Sequence, residues 1–267
     1  MKDSETMNKD KILLFIPAYN CEKQVVRVLS QLDSEVMGYI DEVIVINNRS
    51  TDGTEEAVLK YKGEHGDLPL KLLRNIENYG LGGSQKVAFK YALDNGFDYV
   101  VMLHGDDQGN IRDFLPVFKK KYYRYYDCVL GARFMRGSRL VGYSALRTFG
   151  NIVYDFLFAM GIRQRVFDLG SGLNMYDVSM LKDEFYKRFP DNLMFNYCMV
   201  MALQYYNQTC RFYPISWRET DQVSNVKLGN QAVKVLKMLW EYVKDPASIQ
   251  GEYRDKAIDE YMYEEIE

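Results

Sequence analysis

Four short apolar runs punctuate the first hundred or so residues, at 12–17, 42–46, 70–73 and 99–103, and a helix-forming stretch follows each of the first three. The runs are apolar at successive positions. A strand wetted on one face alternates with period two, whereas a strand buried on both faces does not. Strands of this kind interleaved with helices predict an α/β chain with a mostly parallel central sheet and helices on both faces. The first helix pattern, Glu22 to Leu32, sets Val25, Val28, Leu29 and Leu32 on one side. Asp52 with Glu55 reads as a capping box for a second helix to about Lys62. Asn78-Tyr79-Gly80-Leu81-Gly82-Gly83 opens a third helix to about Asp94.

Further along, the pattern predicts a helix over 111–126 with Leu115 and Phe118 inward, and a strand over 127–132. A basic loop over 133–142 leads to an apolar helix over 145–160 and a loop over 161–172. A short strand over 173–176, helices near 178–188 and 192–206, and a strand over 211–215 complete the series. Residues 216–228 are polar. An amphipathic helix over 231–243 turns Val235, Leu236, Leu239, Trp240 and Val243 inward, and residues 251–267 read as a loosely held acidic, Tyr-rich tail. The expected organisation is a main domain over 1–228, with a C-terminal helix and tail over 229–267.

A 267-residue chain suits one large α/β domain with a small appendage. Its net charge of −3 argues against bulk nucleic-acid binding. Cys21, Cys128, Cys198 and Cys210 are far apart, form no CxxC, and suit a reducing, cytoplasmic setting without structural zinc. Residues 1–11 are polar and do not resemble a signal peptide, and no stretch is apolar enough to read as a membrane span.

Four polar clusters follow the strand ends: Pro17-Ala18-Tyr19-Asn20, Asn47–Asp52, Asn78–Gly83 and His104–Gln108. In a parallel sheet these loops share one edge, where open α/β sheets bind ligands. The glycines at 80, 82 and 83 would let backbone approach a ligand closely. No Gly-Lys-Ser/Thr follows a Gly-rich loop and no GxGxxG follows the first strand, which disfavours ATPase and dinucleotide readings. Asp106 and Asp107, beside His104, could hold a hard divalent cation; the plain alternative is an Asp that caps the next helix.

The ordered series Ile16-Pro17-Ala18-Tyr19-Asn20, Val45-Ile46-Asn47-Asn48-Arg49-Ser50-Thr51-Asp52-Gly53-Thr54, Asn78-x-Gly80 and Gly105-Asp106-x-Gln108 resembles family 2 glycosyltransferases. Leu130-Gly131-Ala132-Arg133-Phe134, Asp168-x-x-Ser171-Gly172-Leu173, Pro214-Ile215 and Ser224-x-x-Lys227-Leu228 are similar to the dolichol-phosphate mannosyltransferase-like branch. The resemblance covers about residues 11–230. It implies a GT-A (Rossmann-like) fold, a nucleotide-diphosphate sugar donor, Mg²⁺ or Mn²⁺, and inverting transfer. By the same resemblance Asp106 is a metal ligand. Pro17, Tyr19, Asn20, Asn47, Asn48, Asp52, Gly80, Gly82, Asp106, Gln108 and Arg218 would bind the nucleotide sugar. Arg133 and Arg147 would face phosphates, and Asp168 would be the base or orient the acceptor.

Three positions depart from the family pattern. His104 stands where a first aspartate is usual, and Asp107 could compensate as a ligand. Asn47-Asn48 replaces Asp-Asp, and Asn could pair with a base edge. The loop Trp217–Gln222 aligns poorly, with Arg218 its one match. Arg133, Arg136, Arg139, Arg147, Arg163 and Arg165 crowd a single stretch and suit an acceptor phosphate. The expected acceptor is a polyprenyl phosphate or another lipid-linked or saccharide acceptor in surface-polysaccharide synthesis. It would be met by a cytoplasmic protein with peripheral contact at the inner face of the membrane. The rivals are a nucleotidyltransferase and a non-catalytic sugar-nucleotide-binding scaffold.

Overall fold

Successive residues of strand β1 (Ile12–Ala18) are buried whichever way they point: Leu13 and Phe15 join one core, Leu14 and Ile16 the other. That two-sided burial is why the run is continuously apolar. The computed structural model describes residues 9–221, 228–254 and 258–267. After β1 come α1 (Glu22–Leu29), α2 (Ser34–Met37), β2 (Glu42–Asn47), α3 (Thr54–Glu64), β3 (Leu70–Asn75), α4 (Gly80–Asp94) and β4 (Tyr99–Leu103). Next are α5 (Leu115–Lys119), β5 (Cys128–Ala132), β6 (Arg139–Val141), α6 (Ala145–Ile162) and β7 (Leu173–Asp177). The chain closes with α7 (Phe195–Tyr205), β8 (Cys210–Pro214), β9 (Ser216–Arg218), α8 (Leu228–Lys244) and β10 (Tyr263–Ile266).

The large sheet has the order β10-β3-β2-β1-β4-β7-β5-β8, and β6 pairs with β9 beside it. Strands β3, β2, β1 and β4 are parallel. Strand β7 runs antiparallel to both β4 and β5, so β5 and its parallel neighbour β8 point the same way as β4. One core lies under α4, α7 and α8, the other under α1 and α5. The mixed α/β fold agrees with the sequence reading.

Several local expectations need correction. The helix expected over 111–126 is broken into a 3₁₀ turn, α5 and a second 3₁₀ turn, because Lys121 adopts left-handed backbone at φ 49°. Leu115 and Phe118 are buried as expected. Residues 178–188 form two 3₁₀ turns split at Glu184, also left-handed. Asp52 bonds the Thr54 N–H and hydroxyl, but Glu55 turns away to Asn47 and Arg74, so no reciprocal capping box forms.

In α8, Val235 and Leu239 are buried as expected, and Met238 and Tyr242 join them. Leu236, Trp240 and Val243 stay 37%, 59% and 46% exposed, since the apolar stripe is wider than its neighbours cover. The tail is not loose. β10 adds to the sheet edge against β3, antiparallel, and Tyr261 joins a buried knot in which the Lys86 ammonium donates to Phe189 O (2.6 Å), Asp191 (2.6 Å) and the Tyr261 hydroxyl (2.9 Å). The Ser224-Lys227-Leu228 motif and Gln222 fall at or within the gap over 222–227, outside the described residues but for the Leu228 backbone.

Candidate active site

The strand directions bring the ends of β1, β2, β4, β5 and β8, and the start of β7, to one edge of the sheet. The loops over 17–20, 47–52, 104–108, 133–142, 168–172 and 216–221 therefore meet there. Asn20, Arg49 and Asp107 each hold left-handed backbone at this edge, with φ of 49°, 63° and 61°. Such conformations persist only where surrounding contacts fix them.

Gly105 lets the tips of β1 and β4 touch: its N–H donates to Pro17 O at 3.1 Å, and a Cβ there would sit 2.7 Å from that oxygen. On its two sides the chain presents His104 and Asp106. The His104 ring lies on Gly172, where an added Cβ would come within 2.6 Å of Cγ and Nδ1. Its Nε2 is buried without a hydrogen-bond partner among the described residues. Burial pushes the imidazole pKa down, with the Arg133 charge adding and the Asp106 charge opposing. Burial likewise raises the Asp106 carboxyl, although its Oδ1 accepts from the Gln108 N–H at 3.2 Å.

Asp107 does a different job. Its backbone turn swings the carboxylate into the protein, 1% exposed. There Oδ2 accepts from Arg27 Nε at 2.6 Å, and Oδ1 accepts from Gln31 and from Arg218. Arg218 also donates to the Asp107 carbonyl at 2.9 Å, and Arg27 reaches on to Asp221. The expectation that Asp107 compensates as a metal ligand is thus corrected: both oxygens are taken by cationic or amide donors. Arg218 holds this clasp with its side chain still 46% exposed at the edge.

The pair expected to do phosphate and base chemistry is locked together. Arg133 donates to Asp168 through its backbone N–H (2.8 Å), Nε (2.7 Å) and Nη2 (2.7 Å), and Gly170 N–H adds a fourth bond at 2.9 Å. Both side chains are buried, and the guanidinium lies 5.0 Å from the rings of Phe134 and Trp217. Asp168 is thereby committed to Arg133 in this structure, not poised as a base. Arg147, in the first turn of α6, is freer. It stacks on Tyr143 at 4.7 Å and pairs with Glu219 at 2.6 Å, and Glu219 also takes the Gln108 amide at 3.4 Å.

On the other flank, Asn47 and Asn48 are 2% and 5% exposed. Asn47 ties the Ser50 N–H and Glu55; Asn48 ties Asn75, Asn78 and the Tyr79 N–H. Their amides shape the loops, which corrects the expectation that they meet a base edge. Asn20 accepts from Thr51 N–H, and Asp52 caps α1 through the Glu22 N–H while remaining exposed, as does Tyr19. Gly80 and Gly82 serve a protein contact: added Cβ atoms would meet Asp191 O at 2.4 Å and Pro190 O at 2.5 Å. The close approach made there is to the turn at 190–191.

Among the described residues no three His, Cys, Asp or Glu side chains gather as a metal cage. A desolvated carboxylate suits a hard cation that keeps water and phosphate oxygens as its other ligands, and the orphaned imidazole nitrogen beside it suits Mn²⁺ better than Mg²⁺. Glu219, Arg27, Gln31 and the buried Asp155 are participants that the sequence reading did not single out. Their only signal was a polar side chain near a strand end or on a helix face.

A family model described as "Glycosyl transferase family 2" matches residues 14–185. An uncharacterized protein of Methanocaldococcus jannaschii is 29% identical over 176 residues, covering 66% of this chain and 68% of that protein. A UDP-N-acetylglucosamine–dolichyl-phosphate N-acetylglucosaminyltransferase of Methanococcus voltae is 24% identical, covering 65% of this chain and 72% of that one. Glucosyl-3-phosphoglycerate synthase of Mycobacterium tuberculosis, solved with Mn²⁺, UDP-glucose and phosphoglyceric acid, superposes with a TM-score of 0.62 at 18% identity, covering 88% and 80% of the two chains.

Proposed function

We propose, from the premise that this chain belongs to glycosyl transferase family 2, that it moves a sugar from a nucleotide diphosphate to the phosphate of a polyprenyl-phosphate acceptor, with inversion. The nucleotide-sugar reaction follows the family. The acceptor and the stereochemistry are our reading, and the dolichyl-phosphate transferase of Methanococcus voltae supports the former. One observation carries it: Asp168, the candidate base, is bound by Arg133 and Gly170 through four hydrogen bonds, while Arg147 stands half-exposed at the same edge. A hydroxyl acceptor needs a base; a phosphate is already an anionic nucleophile and needs a cation to seat it.

In this reading Asp106 and His104 hold Mg²⁺ or Mn²⁺, which when bound offsets the charge developing on the departing diphosphate. Tyr19, Asn20 and Asp52 line the nucleotide side, with Asn47 and Asn48 holding the loops that carry them. Arg147 exchanges Glu219 for the acceptor phosphate. Arg133, paired with Asp168, braces the floor beneath the site without moving. Asp107, gripped by Arg27 and Arg218, sets the backbone turn that aims Asp106.

Two measurements test this. Thermal-shift screening against UDP-, GDP- and CDP-sugars with Mn²⁺ should show stabilisation by one nucleotide class. Donor consumption should need the cation and fall by roughly 10²–10³-fold in Asp106→Ala. Turnover indifferent to both metal and Asp106 would sink the mechanism, and stabilisation without turnover on any acceptor would leave a sugar-nucleotide-binding protein.

A further inference from the structure

We propose that the outer face of α6, widened by Trp240 and Val243 of α8, docks in the plane of an anionic lipid bilayer. Helix α6 is apolar on two sides. Asp155, Phe158 and Ile162 face inward. On the other side Leu146, Phe149, Val153, Phe156 and Met160 recur at spacings of three and four, and they are 80%, 66%, 39%, 60% and 57% exposed. Single exposed apolar side chains are ordinary; an apolar stripe running from Leu146 to Met160, roughly 21 Å along the helix, is not. α8 lies directly beside it. A Cβ on Gly161 would meet Leu239 at 2.8 Å and Val243 at 3.2 Å, so Val243, itself exposed, sits on the seam, with Trp240 three residues before it.

Charge selects the occupant. Between 133 and 165 the sequence has six arginines and one acid, the buried Asp155; Arg133 is buried against Asp168 and Arg147 pairs with Glu219, which leaves Arg136, Arg139, Arg163 and Arg165 exposed. Arg163 and Arg165 end α6 exposed. On α8, Lys234, Lys237 and Lys244 are exposed, with the Lys244 ammonium 4.9 Å over the Trp240 ring; the acids near this rim are Glu241, in reach of Lys237 at 3.9 Å, and Asp245, next to Lys244. Aromatic and aliphatic side chains bordered by cations fit the headgroup boundary of an anionic leaflet. A second copy on a twofold axis would set this cationic rim against itself. Among the described residues no helix is long and apolar enough to cross a membrane, so the contact lies in the interface plane. Arg147, in the first turn of α6, puts the near end of the stripe at the active-site edge.

The proposal does not rest on the donor or the acceptor, since donor consumption in solution reports the reaction and vesicle partition reports the face. The full chain would be mixed with vesicles of phosphatidylcholine, with and without roughly 30% phosphatidylserine. Partition onto the anionic vesicles should exceed that onto neutral ones by about 10-fold, with a blue shift of tryptophan emission. The chain has two tryptophans, and Trp217 is buried, so the shift reads Trp240. Phe156→Glu with Trp240→Glu should cut partition by roughly 10-fold or more, and Lys237→Gln with Lys244→Gln several-fold, with melting temperature and donor consumption unchanged. Equal partition of wild type and the glutamate variant would overturn the proposal. So would a dimer dissolved by Phe156→Glu with no vesicle binding.

Discussion

Asp106 and Asp107 are neighbours with opposite fates, and a single dihedral separates them. The left-handed turn at Asp107 sends its carboxylate inward to Arg27, Gln31 and Arg218, while Asp106 stays at the sheet edge. Asp107→Asn should weaken both guanidinium contacts and lower stability by about 1–3 kcal/mol, read by urea denaturation, and should lower turnover through the displaced Asp106. Asp155 is the second residue to watch. Burial, with repulsion from Asp168 and against attraction to Arg133, pushes its carboxyl up to about 8 from an ordinary 3.8. Folding therefore binds a proton there between those values. Stability from this group is greatest at the acid end of that window, falls as pH rises to about 8, and is flat above it. Asp155→Asn should flatten the pH profile of unfolding and gain on the order of a few kcal/mol at alkaline pH. None of this is legible in sequence. Adjacent carboxylates look alike until the sign of φ is known, and a buried Asp on an apolar helix looks like a polar interruption.

At the scale of elements, periodicity announced the strands because two-sided burial leaves no alternation to misread. It announced the helices less well. It found α8 but took its whole stripe as inward, since amphipathicity reports that a face is apolar and not what covers it. α6 was read as simply apolar for the same reason. The glycines of α4 show a related limit: the sequence marks that backbone comes close, but not to what. At Gly82 the neighbour is the turn at 190–191 and the Phe195 Cβ, which an added methyl would approach to 2.8 Å. Gly82→Ala should cost roughly 2 kcal/mol in chemical denaturation, with donor affinity little changed if the site itself is intact.

For the molecule as a whole, the α/β class, the shared edge and the family were legible from ordered motifs. The strand order past β4 was not, because β7 inserts antiparallel between β4 and β5 and nothing local encodes that neighbour. Nor was β10, whose acidic, Tyr-rich composition suggested a free tail. Removing residues 252–267 should strip β3 of its partner and Lys86 of its Tyr261 contact, lowering the melting temperature by about 5 °C or more and promoting association through the bared edge.

That pairing has a consequence for biosynthesis. Tyr263 meets Asn75 across a separation of 188 residues. While the polypeptide is being made, β3 has already emerged and can pair with β2, yet its other side waits until Tyr263–Ile266 has left the ribosome. For that interval the nascent protein carries an open strand, and a chain cut short before Tyr263 would expose an edge primed to aggregate.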